Sequence, residues 1–169
     1  MSLIDKVGGL QWHIQSLSGE QAYEAAIDTI IQHAERELQI FDADLSRGGY
    51  TSLKRYEALR GFLASNRNNR LTIVLHEVDF LSTRCPRLMK LLKTYSHAIS
   101  ICQTAEHARA AHDPFMIADL QHYLHRFHVD DARLLLALHD PVGVSSLQER
   151  FDQLLEASSP AVFATTLGL

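Results

Sequence analysis

The run Leu71-Thr72-Ile73-Val74-Leu75 is apolar without alternation and rich in β-branched side chains, which suits a central parallel strand covered on both faces. A strand of that kind needs helical crossovers on either side, and the flanking sequence supplies them. Tyr23, Ala26, Ile27, Ile30, Ala34 and Leu38 recur every three or four residues, predicting one amphipathic helix. Ser18 to Gln21 reads as a capping box at its start. Gln39-Ile40-Phe41 follows as a first strand, broken by Asp42-Ala43-Asp44 and Arg47-Gly48-Gly49. Leu53, Tyr56, Leu59 and Leu63 mark a second helix, which ends at a polar turn, Ser65 to Asn69. Cys85-Pro86 opens a third, with Leu88, Leu91, Leu92 and Tyr95 on its core side, and Ala98 to Cys102 forms the next strand.

The order αβαβαβ with short connections implies right-handed crossovers. Beyond it the pattern changes. Phe115 to Asp119, Tyr123 to His128 and Ala132 to His139 read as consecutive strands joined by tight turns, before a closing helix with Leu147, Phe151, Leu154 and Leu155. The expected fold class is therefore α/β: a mostly parallel central sheet, an antiparallel hairpin-rich C-terminal part, and helices on both faces. Residues 1–17 read as a lead segment that includes Gly8-Gly9, with Met1-Ser2-Leu3 resembling a cloning remnant, and 18–169 as one domain. The apolar tail from Pro160 to Leu169 is expected to dock on the domain or on a partner. No internal repeat or interdomain linker is visible.

At 169 residues the chain can bury about 70% of its unfolded surface in a single core. Its net charge of -4 offers no general attraction to a phosphate backbone, so nucleic acid is not the expected partner. No apolar run approaches the ~20 residues of a membrane span, and a cytoplasmic location is expected. Cys85 and Cys102 have no metal-binding spacing and are too few for a disulfide framework.

The segment His112-Asp113-Pro114-Phe115-Met116-Ile117-Ala118-Asp119 resembles the motif of the phospholipase D superfamily, in which a histidine, a lysine two residues on and an aspartate five residues later share one strand. Here His112 and Asp119 keep the spacing, and Pro114 stands where the lysine belongs. The order of elements also resembles one half of that fold. The resemblance implies a nucleophilic histidine, a second histidine from another half to protonate the leaving group, and lysines that neutralise the phosphoryl oxygens. A single half implies a homodimer about a two-fold axis. Proline has no side-chain donor, so the expectation is a non-catalytic module in which His112 and Asp119 are vestigial. It would bind a phosphate-bearing ligand or a partner protein. The enzyme alternative is a phosphodiesterase or nuclease that uses His112 with Arg109 or Arg126 replacing the lysine. A third reading is an accessory domain to a separate catalytic domain.

Ligands of open α/β sheets bind beyond the carboxyl ends of the strands. Asp42 and Asp44 follow the first strand there, and His76, Glu77 and Asp79 follow the second. They are candidate ligand-binding groups, or else caps of their own turns. No metal or cofactor is expected. His122, His125 and His128 are too unevenly placed on a strand to share an ion. Cys85, at a helix N-terminus, is where a thiol pKa is ordinarily lowered. Arg84, Arg87, Lys90 and Lys93 form a basic stripe that suits a solvated helix face. Glycine-rich phosphate loops and hydrolase elbows are absent from the sequence.

Overall fold

The computed structural model describes residues 2–7 and 10–164, with side chains from 13 to 164. The chain runs β1 (Ser2–Val7), β2 (Leu10–Ser18), α1 (Glu20–His33), β3 (Glu37–Asp42), α2 (Leu53–Ser65), β4 (Arg70–Leu75), α3 (Asp79–Arg84) and α4 (Pro86–Thr94). It continues through β5 (Ile99–Thr104), a single 3-10 turn at Glu106–Ala108, β6 (Phe115–Ala118), β7 (His122–Arg126), β8 (Arg133–Leu138), α5 (Val144–Glu156) and β9 (Ser158–Val162). The described strands form one mixed sheet in the order β1-β2-β8-β7-β6-β3-β4-β5-β9.

The middle of that sheet is the parallel trio β3, β4 and β5, with Ile40 opposite Ile73 and Ile73 opposite Ile101. Alternate residues of these strands enter two separate cores. Leu38, Ile40, Ile73, Leu75 and Ile101 face α1, α2, α3 and α4, while Phe41, Val74 and Cys102 face α5. Helices thus cover both faces, and a strand with no solvent side shows the uninterrupted apolar run seen at Leu71 to Leu75. The antiparallel part follows from β6, which reverses against β3 with Phe41 opposite Phe115, and then from the β6–β7 and β7–β8 pairings.

Three local expectations change. Residues 1–17 are not a plain lead: β1 and β2 pair with each other, and β2 runs along β8 from Ser18 opposite Arg133 to His13 opposite Leu138. The signal is the alternation of Leu10, Trp12 and Ile14 with Gln11, His13 and Gln15, a half-buried strand pattern. Met1 and Gly8-Gly9 lie outside the described residues. Because Ser18 ends β2, it cannot also cap α1; the N-cap is Gly19 at φ 103, with no side-chain cap bond. A short helix, α3, occupies the loop before Cys85. The tail docks on the domain as expected over its described residues, supplying β9 antiparallel to β5 with Cys102 opposite Pro160; residues 165–169 lie outside the described part. None of the described helices is long and apolar enough to cross a membrane.

Candidate ligand-binding crest

Strand direction decides which side chains meet. The carboxyl ends of β3, β4 and β5 share one edge of the sheet; the start of β6, the end of β7 and the start of β8 reach the same edge because they run alternately against them. This crest collects Asp42, Asp44, His76, Glu77, Arg109, His112 and Arg126, while Asp79, the other candidate carboxylate after β4, begins α3. Asp119 is excluded: it sits past the other end of β6, separated from His112 by the whole strand.

His76 anchors the crest. Its Nε2 lies 2.5 Å from the carbonyl of Ala111 and its Nδ1 2.6 Å from Thr104 Oγ1. A carbonyl only accepts, so Nε2 carries the proton and the Thr104 hydroxyl donates to Nδ1. Burial lowers the His76 pKa and favours this neutral form. The ring thereby fixes the backbone just before His112, which is exposed. His112 packs between His76, 6.5 Å away ring to ring, and His128, 5.6 Å away on the β7–β8 loop. Val129 N–H donates to the His112 carbonyl at 2.7 Å, tying that loop to the crest. Pro114 is buried at the strand start, where its carbonyl accepts from Arg126 N–H.

The arginines are committed. Arg126 is fully buried, lies over the Tyr23 ring at 4.8 Å, and donates to both oxygens of Glu20 at 3.2 and 2.7 Å and to the carbonyl of Asp131. That bond to Arg126 holds the Glu20 carboxyl below its ordinary range. Arg109 pairs with Glu77 at 2.6 Å. Arg47 donates to the Val129 carbonyl and to Asp130 at 2.6 and 3.2 Å. Behind the crest, Asp113 takes a bidentate grip from Arg150 and a 2.8 Å bond from His125. Burial alone would raise the Asp113 pKa, but the Arg150 and His125 bonds hold it well below the usual carboxylate range.

The acidic candidates cap turns. Asp42 Oδ1 accepts from the amides of Asp44 and Leu45, and Asp44 Oδ1 accepts from Ser46. Asp42 is buried, and burial pushes its pKa up to about 6. Among the described residues no group of three His, Cys, Asp or Glu is placed to hold a metal ion. The spaced histidines go to three separate places: His128 to the crest, His125 to Asp113, and His122 into the opposite end of the sheet beside His33 and His139. Asp119 there accepts from the amides of Glu35, Arg36 and Glu37. Cys85 is also corrected: it is fully buried, and burial raises its thiol pKa instead of the helix terminus lowering it. The basic stripe is split between two helices, Arg84 ending α3 while Arg87, Lys90 and Lys93 lie on α4; all four are exposed, with Arg87 donating to the Thr51 carbonyl.

Sequence reasoning missed Arg47, Thr104 and the Asp113–His125–Arg150 group. Thr104 was within reach, because Leu75 is in register with Gln103, so the residues that follow each are neighbours. In the sequence Arg47 shows only as part of a strand-breaking turn.

A family model described as "Domain of unknown function (DUF7931)" matches residues 19–163. The chain belongs to that family. No curated protein matches. Solved structures do. TrmBL2, described as an archaeal chromatin protein with a novel mode of DNA binding, superposes with a TM-score of 0.66 at 10% identity, over 88% of this chain and 55% of that one. Nuc from Salmonella typhimurium, a phospholipase D family member, gives 0.63 at 12% identity over 89% of this chain and 98% of its own. NucT from Helicobacter pylori gives 0.61 at 13% identity, covering 89% and 99%. The DUF7931 chain thus spans about half of TrmBL2 and nearly all of Nuc and NucT. At these identities the likeness concerns the fold, and the fold of this DUF7931 member is phospholipase D-like α/β.

Proposed function

We propose that this DUF7931 member is a non-catalytic phospholipase D-like module that binds a phosphate-bearing ligand at its crest, as a cytoplasmic homodimer. The observation that carries the reading is Pro114, buried at the position the motif gives to lysine, with the crest arginines already bonded to carboxylates or carbonyls. A phosphoryl transition state needs a cation aimed at its equatorial oxygens, and losing such a group costs several kcal/mol, about 3 or more. Arg126 does not replace it, being enclosed between Tyr23 and Glu20. Arg109 sits in an exposed pair with Glu77 and is not preorganised toward His112. What remains open is the exposed His112 imidazole and the Nε2 of His128, whose Nδ1 accepts from Asp130 N–H at 3.1 Å, beside Arg47, a group that suits a phosphate monoester or diester bound without turnover. With a net charge of -4, a nucleic-acid ligand of the kind named for TrmBL2 is not favoured here.

The test uses inorganic phosphate and bis(para-nitrophenyl) phosphate. Phosphate should shift the NMR signals of His112 and His128, the shifts should vanish in the double variant His112→Ala, His128→Ala, and the diester should release no nitrophenolate above the buffer rate. Release that His112→Ala abolishes would establish the phosphodiesterase alternative. Absence of any shift at saturating phosphate would leave a partner protein as the occupant of the crest.

A further inference from the structure

The end of the sheet opposite the crest gathers three histidines from distant parts of the chain: His33 closes α1, His122 begins β7 and His139 follows β8. Their ring centres lie 4.6 Å apart for His122 and His139, 5.3 Å for His33 and His122, and 6.3 Å for His33 and His139. Such spacing resembles a metal site, but the hydrogen bonds exclude one. His139 N–H donates to His122 Nδ1 at 3.0 Å, which uses the only lone pair of a neutral ring and puts the proton on Nε2. His33 Nδ1 in turn donates to the Thr29 carbonyl at 2.8 Å. His122 is therefore held neutral, as a structural acceptor, inside a group of imidazoles.

We infer that His33, His122 and His139 form an acid-released latch that ties the end of α1 and the β6–β7 turn to the end of β8. A proton arriving at His122 Nδ1 takes the lone pair from the His139 amide, leaves that N–H without its acceptor, and places a cation beside two further imidazoles. His122 is buried, and burial together with His139 and His33 lowers its pKa from 6.5 to about 4. The surrounding charges do not offset this. Asp119, on the β6–β7 turn, favours the cation, but its carboxylate is shared among the amides of Glu35, Arg36 and Glu37, whose own side chains are exposed. Asp140, next to His139, is turned away to Tyr123 and Gly143. His13 of β2 lies across from Leu138.

The backbone at this end is already strained, which makes the latch a point of release. Asp119, Leu120 and His139 have φ of 55°, 56° and 56°, the left-handed region that non-glycine residues rarely adopt. Leu120 is half exposed at the tip of the turn. The His139–His122 bond is one of two that join these strained segments, the other being Asp140 N–H to the Gln121 carbonyl at 2.8 Å, so its loss leaves a single bond between them.

The sign follows from linkage. A histidine with a lowered folded-state pKa gives stability that is complete above about pH 6.5 and declines as pH falls toward about 4, because the unfolded chain takes up more protons. Between pH 7.5 and pH 5 this residue alone should raise the unfolding constant roughly tenfold to thirtyfold. His122→Asn keeps an acceptor for the His139 amide but does not titrate. Urea unfolding of the wild type and His122→Asn at both pH values, with amide hydrogen exchange, is the experiment. The expected result is a wild-type loss of that size that the variant lacks, together with faster exchange of His139 and Asp140 in acid in the wild type only. Equal pH slopes, or exchange unaffected by acid, would overturn the latch. Should His122→Asn fail to fold, the NMR titration of His122 in the wild type decides: a midpoint near 4 supports the latch, and one at or above 6.5 refutes it.

Discussion

Replacing Asp119 separates a structural carboxylate from a catalytic one. Its Oδ2 accepts from Glu35 N–H at 2.7 Å, and its Oδ1 accepts from Arg36 and Glu37 N–H at 2.9 and 2.8 Å. Its own amide donates to the Glu37 carbonyl, so one residue closes the turn after β6 against the start of β3. Each bond to a charged acceptor contributes about 1.5–3 kcal/mol when buried and less here, where water reaches the amides. Asp119 also sits at φ 55°, a conformation that Asp and Asn tolerate and alanine tolerates less well. Summed with that discount, Asp119→Ala should cost about 3 kcal/mol, lowering Tm by about 6–12 °C for a domain of this size. Asp119→Asn keeps one oxygen for the Arg36 and Glu37 amides and should cost about 1 kcal/mol. Denaturant unfolding of the three proteins, alongside the phosphate titration, gives the answer. Two equally damaging substitutions, or an Asp119→Ala protein that keeps its stability and loses phosphate binding, would refute the structural role.

Asp42→Asn should stabilise the protein by about 3 kcal/mol at pH 7.5 and by less than about 1 near pH 4, because burial raises the Asp42 pKa from 3.8 to about 6 and the folded state carries the cost of the buried charge once pH exceeds that value. The amide oxygen still serves Asp44 and Leu45; a loss of stability at pH 7.5 in urea unfolding would mean that the buried charge is used. Gly143→Ala should destabilise by about 1–3 kcal/mol in the same assay, since its Cβ would lie 2.0 Å from Asp140 Oδ2 and 2.7 Å from the Tyr123 hydroxyl, both buried and bonded to each other. An unchanged midpoint would show that this pair moves aside freely.

The parallel trio was legible because its chemistry is local: strands enclosed by helices carry unbroken apolar runs, and Leu71 to Leu75 needs no partner to announce itself. Features decided by pairing were not. The Ser18 capping box yields to tertiary structure, because Ser18 takes its place opposite Arg133 in β2 and the chain enters α1 through Gly19. α3 has six residues, too few to display a helical period. At the crest, the rule that ligands gather beyond parallel strand ends located Asp42, Asp44, His76 and Glu77, but not whether their atoms were free, which depends on amides and hydroxyls brought in by folding. His33, His122 and His139 are joined only by the register of β7 on β8 and the packing of α1 across them, so no spacing in the chain could reveal them.

The charge pairing along the crest decides which cations a phosphate could recruit. Arg126 is 2% exposed, and parting it from Glu20 would strand a buried guanidinium, a cost of about 3–5 kcal/mol. Arg109 and Arg47 are about two-fifths exposed, and their pairs with Glu77 and Asp130 are the kind that contribute about 0–1 kcal/mol, less than a doubly charged oxyanion returns on replacing the carboxylate. Arg47 and Arg109 can therefore turn toward a ligand at His112, whereas Arg126 cannot. Both approach from flexible, solvated side chains, which suits holding a phosphate. Neither is preorganised in the way that stabilising a transient metaphosphate-like centre requires. On the proposed reading, proline at position 114 supplies no fixed cation to the crest, while Arg47 and Arg109 leave it the capacity to attract an anion.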